Sequence, residues 1–304
     1  TARPAMKLDP KHCEAFLAAL DSGSFEQAAQ DLHLTPSAIS QRIRALEEVL
    51  GKPLLVRSRP CRATREGQLL RQHLQRAALL EADLAATFAG DDSAMLSVSL
   101  AVNADSVASW FLPALTPFLI RERVLLDVIV DDQDHTYTLL QAGMALGCIS
   151  TEPQAMRGCS ASPLGVMRYQ ALASADYHAR WFGGGVSRDA LRRAPVMIYN
   201  HKDRLQADWL LQHFGLPDDS YPCHFLPASD PYLQAVKLGL GWGMLPDVQL
   251  AACGLAGTLL PLQPDKPVDV ALYWHHWQVQ SPRLARLSDV LVEAARAVLR
   301  PTLA

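Results

Sequence analysis

Apolar and small residues recur at helical spacing through the first part of the chain, and polar caps break the recurrence at short intervals. Leu8, Cys13, Phe16, Leu17 and Leu20 predict a helix over Lys7 to Ser22. Phe25, Ala28, Ala29 and Leu32 predict a second, short helix with Ser24 at its N-cap. Thr35-Pro36-Ser37, a capping hydroxyl with proline at the first helical position, opens a third helix whose stripe is Ala38, Ile39, Ile43, Leu46 and Leu50. A turn of about three residues between the last two makes a helix-turn-helix. Pro53 to Arg57 and Pro60 to Thr64 read as two short strands, the wing of a winged helix. Leu70, Leu74, Ala77, Leu80, Leu84 and Phe88 then mark a long helix from Thr64 to Phe88. Its narrow stripe suits pairing with a copy of itself, or the core of one domain.

Gly90-Asp91-Asp92-Ser93 ends that pattern and sets the expected domain boundary. Beyond Met95 strand-like runs alternate with helices: strands at 95–103, 124–132 and 145–151, helices at 106–120 and 137–142. A second set of strands follows at 166–174, 195–200, 223–229 and 241–246. The run 268–276 returns, and a last helix spans Pro282 to Leu299. The alternation predicts a doubly wound parallel α/β domain. Crossings near Leu164 to Arg168 and Leu262 to Val268 divide it into two hinged lobes, the first about 95–165 and 269–304, the second about 166–268.

Charge sharpens the reading of the third helix. From His33 to Arg65 seven Lys and Arg face only two acids, Glu47 and Glu48, inside a chain of net charge −3. The exposed face of the third helix carries Ser37, Ser40, Gln41, Arg42 and Arg44, donors and cations rather than the mixed charges of an ordinary solvated helix. Such a face suits a DNA major groove and its phosphates.

Across these residues the order Ser-Phe, paired alanines, Thr-x-Ser-Ala-x-Ser, Ile-x-x-Leu-Glu, Gly-x-Pro-Leu, Arg and Thr-x-x-Gly resembles the DNA-binding domain of the LysR-type bacterial transcriptional regulators. Leu55 departs from that pattern, where the family commonly has phenylalanine, an exchange expected to leave the wing packed. Further on, AVNADS, VDDQDH, GWGMLP and LYWHHW resemble the branch called ArgP, LysG or IciA, which senses basic amino acids and controls their export. The resemblance implies a winged helix-turn-helix over 6–64, a dimerising linker helix over 65–90 and, over 95–304, an effector domain built like a periplasmic binding protein. It also implies a homodimer or tetramer on a dyad-symmetric operator, with RNA polymerase as a further partner. By position in the motif, Pro36, Ser37, Ser40 and Gln41 approach base edges, and Ser24, Arg42, Arg44 and Arg57 reach phosphates.

A ligand of such a two-lobed domain sits where strands end and helices begin. Asn103, Asp105 and Ser106 stand at the first such place, Asp131, Asp132 and Asp134 at the second, Ser150 and Thr151 at the third. Asn200 to Asp203 and Ser229-Asp230 are their counterparts in the second lobe. Asn103 and Ser106 are candidates for the carboxylate of an amino acid, and Asp131, Asp132, Asp203 and Asp230 for its amines. Lysine or arginine, with two cationic groups, fits several acids around one cleft, and the resemblance points to the same pair. Taken singly, each aspartate also reads as a helix cap or a solvated turn. Trp110, one turn beyond Ser106, covers an aliphatic stem, stacks on a guanidinium, or is core.

Composition and motifs exclude other classes. At 304 residues, with 49% hydrophobic and 19% charged residues, the chain reads as a globular protein of two or three domains. No secretory signal or membrane-length apolar run is present, and Met6 reads as a natural start, so a cytoplasmic protein is expected. The six cysteines form no Cys-x-x-Cys pair, which argues against zinc and redox motifs. His275 and His276 are adjacent, so on a strand they face opposite ways and do not share a metal. Gly239 to Gly243 is no dinucleotide fingerprint but a turn into a strand. No hydrolase, Walker or metalloprotease motif occurs, so neither an enzyme nor a cofactor is expected. The remaining rivals are a sequence-tolerant architectural protein acting at a replication origin and a LysR-type regulator with another effector.

Overall fold

The computed structural model describes residues 8–56, 58–89, 95–131 and 136–301. The chain forms two compact units, residues 1–90 with 141–144, and residues 91–140 with 145–304.

In the first unit, α1 (Pro10–Ser22), α2 (Phe25–Asp31) and α3 (Pro36–Leu50) precede a hairpin of β1 (Leu55–Val56) and β2 (Arg62–Ala63), and α4 (Arg65–Ala89) follows. The first helix starts at Pro10, not at Lys7, because the Asp9 side chain accepts the Lys11 amide and proline fixes the first helical position. Ser24 caps α2 and Thr35 caps α3, while Gly51, at φ 67°, ends α3 in the left-handed conformation. Phe16, Ala28, Ile39, Ile43, Leu46 and Leu54 form the core where these helices meet. Leu55 is buried in it and pairs with Ala63, so the wing is packed with leucine in that place.

The wing is tied to the motif by two polar devices. Glu47, on α3, accepts the Leu54 amide at 2.7 Å. The Cys61 thiol donates to the Ala19 carbonyl at 2.8 Å.

In α4 the apolar stripe splits in two. Leu70 is buried and Leu74 packs against the unit's own core, whereas Leu80, Leu84 and Phe88 are 40%, 57% and 83% exposed. The stripe is therefore core at its start and exposed further along.

The second unit opens with β3 (Leu96–Val102), α5 (Ala104–Ser106), a π-helical turn (Val107–Phe111), α6 (Leu112–Arg121), β4 (Val124–Val130), α7 (Thr136–Gln141) and β5 (Gly147–Ser150). The helical run after β3 begins at Ala104, two residues before the expected start, because Asn103 leaves the strand with extended backbone. β6 (Cys159–Ala173) leads to the second lobe: α8 (Ala175–Phe182), α9 (Arg188–Leu191), β7 (Val196–Ile198), α10 (Leu205–Phe214), β8 (Cys223–Phe225), α11 (Ser229–Lys237), β9 (Gly243–Pro246), α12 (Asp247–Ala252) and β10 (Leu260–Pro261). β11 (Val268–Trp277) returns, and α13 (Pro282–Val298) follows.

The expected parallel sheet is corrected to a mixed one. Among the described strands, β3 pairs in parallel with β4 and β5, and β7 with β8. β6 and β11 run antiparallel over their shared length, and β9, β10 and β5 pair antiparallel to them. One seven-stranded sheet, ordered β10-β6-β11-β5-β3-β4 with β9 also on β6, therefore runs through both lobes. Alternating runs suggest parallel pairing, but two long strands that pass between lobes in opposite directions pair with each other instead.

Near the expected first crossing, β6 continues unbroken through Gly165, whose φ is 136°. A Cβ there would lie 2.7 Å from the Arg300 carbonyl oxygen, because Val166 and Arg300 exchange backbone hydrogen bonds beside it.

Candidate functional site

The exposed face of α3 follows from its burial stripe. Ile39, Ile43 and Leu46 are buried, so Ser37, Gln41, Arg44 and Glu48 fall on the opposite, exposed line, with Pro36 beside them. Ser40 and Arg42 flank the line and are half-buried. The Ser24 hydroxyl accepts the Gln27 amide at 3.3 Å and donates to Glu26 at 2.9 Å, so its first role is the cap. Of the cations counted from the sequence, Lys52, Arg62 and Arg65 are exposed, and Arg59 pairs with Glu26 at 3.1 Å. Backbone amides, Ser24 and Arg59, in that order, hold Glu26 below its ordinary value. Arg57 lies outside the described residues.

In the second unit a cavity, about 540 Å³ with the open solvent at its mouth counted in, lies at the carboxyl ends of the strands. Ala104 and Asp105 reach it from the end of β3 and Asp131 from the end of β4, neighbouring parallel strands of the first lobe. From the second lobe come Tyr199, Asp203 and Gln206 after β7, Ser229 and Tyr232 on α11, Met244 to Pro246 on β9 and Gln249 on α12. Tyr169, on β6, and Leu205, at the start of α10, complete the lining.

Asp105 is held from both sides. One carboxylate oxygen accepts the Tyr169 hydroxyl at 2.8 Å and the other accepts the Ser229 hydroxyl at 2.5 Å. Asp203 accepts the amides of Leu205 at 3.0 Å and Tyr199 at 3.2 Å, which fixes the turn between β7 and α10. Burial pushes the Asp203 carboxyl above the usual range and the charge of Asp105 adds to this, against the lowering effect of those amides and of Gln206. The buried Tyr232 hydroxyl donates to the Met197 carbonyl at 2.9 Å and accepts from Gln206 at 3.0 Å and from the Met244 amide at 3.2 Å. Gln206 is itself buried, and its Oε1 has no partner among the described residues.

The lining is thus rich in acceptors: three carboxylates and an unmatched amide oxygen, with no Lys or Arg among the lining residues. Such a set takes a ligand that is cationic and carries many N–H donors. Asp131 also pairs with Lys202 at 3.5 Å, across from the first lobe to the second.

Of the residues singled out from sequence, Asp105, Asp131 and Asp203 come together here. Asn103, Ser106, Trp110, Ser150 and Asp230 do not line the cavity. The Ser106 hydroxyl accepts from the buried Trp110 indole at 3.2 Å, so both belong to the packing of the first lobe. Ser150 is buried and accepts the Glu152 amide at 3.1 Å. Asp230 is exposed in the first turn of α11 while its neighbour Ser229 faces the cavity. Asn103 is buried, and its side-chain atoms have no partner among the described residues. Asp132 and Asp134 lie outside the described residues. Tyr169, Tyr199, Gln206, Tyr232 and Gln249 were missed. Gln206 shares the buried face of α10 with Trp209 and Leu210, and Gln249 lies between Val248 and Leu250. A glutamine on an apolar stripe is the signal that was there to read.

No group of three or more His, Cys, Asp or Glu suited to a metal occurs among the described residues. His275 is buried with its Nε2 at 2.7 Å from the Glu152 carbonyl, and burial lowers its basicity. Burial likewise pushes the Cys148 thiol well above its ordinary value. No described helix is long and apolar enough to cross a membrane.

Known proteins match the chain along both units. The family of bacterial regulatory helix-turn-helix proteins, lysR family, matches residues 10–68, and the LysR substrate binding domain matches residues 91–296. The transcriptional regulator LysG of Mycobacterium bovis is 40% identical over 295 residues, which cover 97% of this chain and 96% of that protein. The regulator ArgP of Aeromonas salmonicida is 38% identical over 295 residues, 97% of this chain and 99% of that one. The crystal structure of ArgP from Mycobacterium tuberculosis matches with a TM-score of 0.84 at 39% identity, over 97% of this chain and all (100%) of that one. Full-length LysG from Corynebacterium glutamicum with bound effector Arg matches with a TM-score of 0.79 at 33% identity, over 96% and 100%. With a capped helix-turn-helix in one unit, a two-lobed domain around an acid-lined cavity in the other, and relatives that span nearly the whole chain, this protein belongs to the LysR family of bacterial transcriptional regulators.

Proposed function

We propose that this regulator senses a basic amino acid, arginine or lysine, in the cavity between its lobes and controls transcription of an amino-acid exporter gene. The observation that carries the reading is the cavity's charge: Asp105, Asp131 and Asp203 line it, Lys202 from outside the lining pairs with Asp131, and Gln206 adds an unmatched acceptor. A ligand with one carboxylate and two cationic groups answers that imbalance, whereas glutamate adds to it. The similar LysG of Corynebacterium glutamicum, solved with bound effector Arg, supports the same class of ligand.

The domain division follows the sequence pattern: a DNA-binding part over 6–64, a linker helix over 65–90 and an effector part over 95–304. On α3, Ser37, Ser40 and Gln41 read bases together with Pro36, while Arg42, Arg44 and Arg57 hold phosphates with Ser24. A homodimer joined through α4 presents two such helices to an operator with dyad symmetry. The protein works in the cytoplasm with RNA polymerase and carries out no catalysis. Asp132 joins Asp131 in holding the effector's amines.

Calorimetric titration with arginine, lysine, leucine and glutamate tests the ligand class. Binding of the two basic amino acids alone is the expected result, and equal binding of glutamate refutes the reading. Operator binding tests the rival role: a regulator prefers one dyad site over random DNA by about a thousandfold or more, and an architectural protein does not.

A further inference from the structure

Lys202 stands in a turn that is locked on both sides. The Asn200 side chain accepts the amides of Lys202 at 2.7 Å and Asp203 at 3.1 Å. Asp203 accepts the amides of Tyr199 and Leu205. The His201 ring lies tilted against Phe225 with ring centroids 4.0 Å apart. The turn belongs to the second lobe, yet it directs the Lys202 ammonium to Asp131 at the end of β4 in the first, 3.5 Å away. Asp131 lines the cavity. A primary ammonium of the protein thus sits on a carboxylate of the site that receives cationic ligands.

We propose that Lys202 is an internal competitor of the effector: its ammonium holds Asp131 when the cavity is empty, and the side-chain cation of a basic amino acid displaces it. This rests on the basic-amino-acid reading above. Two consequences follow from the geometry. First, the effector does not meet a bare carboxylate, so its apparent affinity is reduced by the population in which Asp131 is taken. Second, the displaced Lys202 remains near the incoming cation and repels it. Both effects weaken binding, and both act only on ligands with a side-chain cation. Lys202 thereby sets the concentration at which the regulator responds. The side chains of Lys202 and Asp131 are 55% and 28% exposed, so solvent screens the pair and the effect is a tuning of affinity, not a block.

Titration calorimetry on the full chain tests this, with L-arginine, L-lysine and L-citrulline, the last a neutral analogue of arginine. Lys202→Met is expected to bind arginine and lysine about three- to tenfold more tightly than the unaltered protein, a range set by the modest strength of half-exposed ion pairs. Citrulline binding is expected to stay the same, and Lys202→Arg, which restores a cation to Asp131, to return the weaker affinity for the basic ligands. Thermal melts without ligand check that the variants fold, with Lys202→Gln as the substitute if the methionine variant does not. Equal or weaker binding of arginine by folded Lys202→Met, while the unaltered protein binds it, overturns the proposal and leaves the effector reading intact. Equal tightening of citrulline also overturns it, since that marks removal of bulk and not of charge. Failure of the unaltered protein to bind either basic amino acid overturns both.

Discussion

The Asp105 carboxylate of the first lobe accepts a hydrogen bond from the Ser229 hydroxyl of the second at 2.5 Å, and the Tyr169 hydroxyl steadies its other oxygen. Asp105, which lines the cavity, therefore ties the two lobes together, while Asp131 and Lys202 tie them at a second point. Any ligand that recruits Asp105 or Asp131 changes a contact between lobes.

Arginine and lysine are expected to raise the melting temperature, and leucine and glutamate to leave it unchanged. Asp131→Asn, and equally Asp132→Asn, is expected to remove the shift without unfolding the domain. A truncated partner of a desolvated charge pair typically costs about 2 to 5 kcal/mol, which is about 30-fold in affinity at the lower end. Asp131 is partly exposed, so the lower end of that range applies. Differential scanning fluorimetry decides the matter: a full shift that survives in both variants argues against the assignment.

The raised carboxyl of Asp203 gives a pH signature. Because its folded value lies above the unfolded one, the empty native state keeps a proton that the unfolded chain has lost. Stability from this group is therefore greatest at low pH and falls as pH rises from the unfolded value of about 3.9 through the raised folded value. A cationic effector favours the ionised form, so its affinity rises through the same window and binding releases a proton. Asp203→Asn is expected to abolish the release, which calorimetry in buffers of different ionisation enthalpy measures directly. Proton release unchanged in that variant assigns the titration to another group.

On DNA, Arg44→Ala is expected to weaken binding to every sequence and to flatten the dependence on salt, since Arg44 is exposed on α3 and is proposed to hold a phosphate. Gln41→Ala is expected to change the preference among operators by about 1 to 3 kcal/mol if the amide contacts one base bidentately. Fluorescence anisotropy over a salt series separates the two behaviours. Wild-type binding by both variants removes α3 from the interface.

For assembly, Leu80→Glu places a charge on the exposed, apolar part of α4 beside Leu84 and Phe88. If that face is the dimer seam, the unpaired charge is buried there at a cost of several kcal/mol, and operator binding goes with the dimer. Leu74→Glu acts differently. Leu74 packs against the core of its own unit, so the substitution is expected to lower the melting temperature of the DNA-binding unit. Sedimentation of the Leu80→Glu protein as an intact dimer excludes the seam.

The local pattern determined a large part of this protein. Thr35-Pro36 starts a helix and Gly51 ends it because capping and left-handed backbone depend on residues within one turn. The buried line of Ile39, Ile43 and Leu46 places Gln41 and Arg44 outward by helical geometry alone. The aspartates at strand ends were legible in the same way, since Asp105 and Asp131 follow apolar runs whose carboxyl ends face one cleft.

Tertiary structure decided what local pattern does not encode. Whether strands pair in parallel depends on partners far apart in the chain, and the antiparallel pairing of β6 with β11 joins residues about a hundred positions apart, such as Arg168 and Asp269. Which polar residue at a strand end reaches the cavity depends on neighbours in space. Trp110 donates its indole N–H to the Ser106 hydroxyl and turns that serine into core, while Tyr169 and Ser229 draw Asp105 into the site. Gln206 became a site residue because the helix stripe that buries it also lies against the cavity, and a stripe in a sequence carries no mark of which buried surface is hollow.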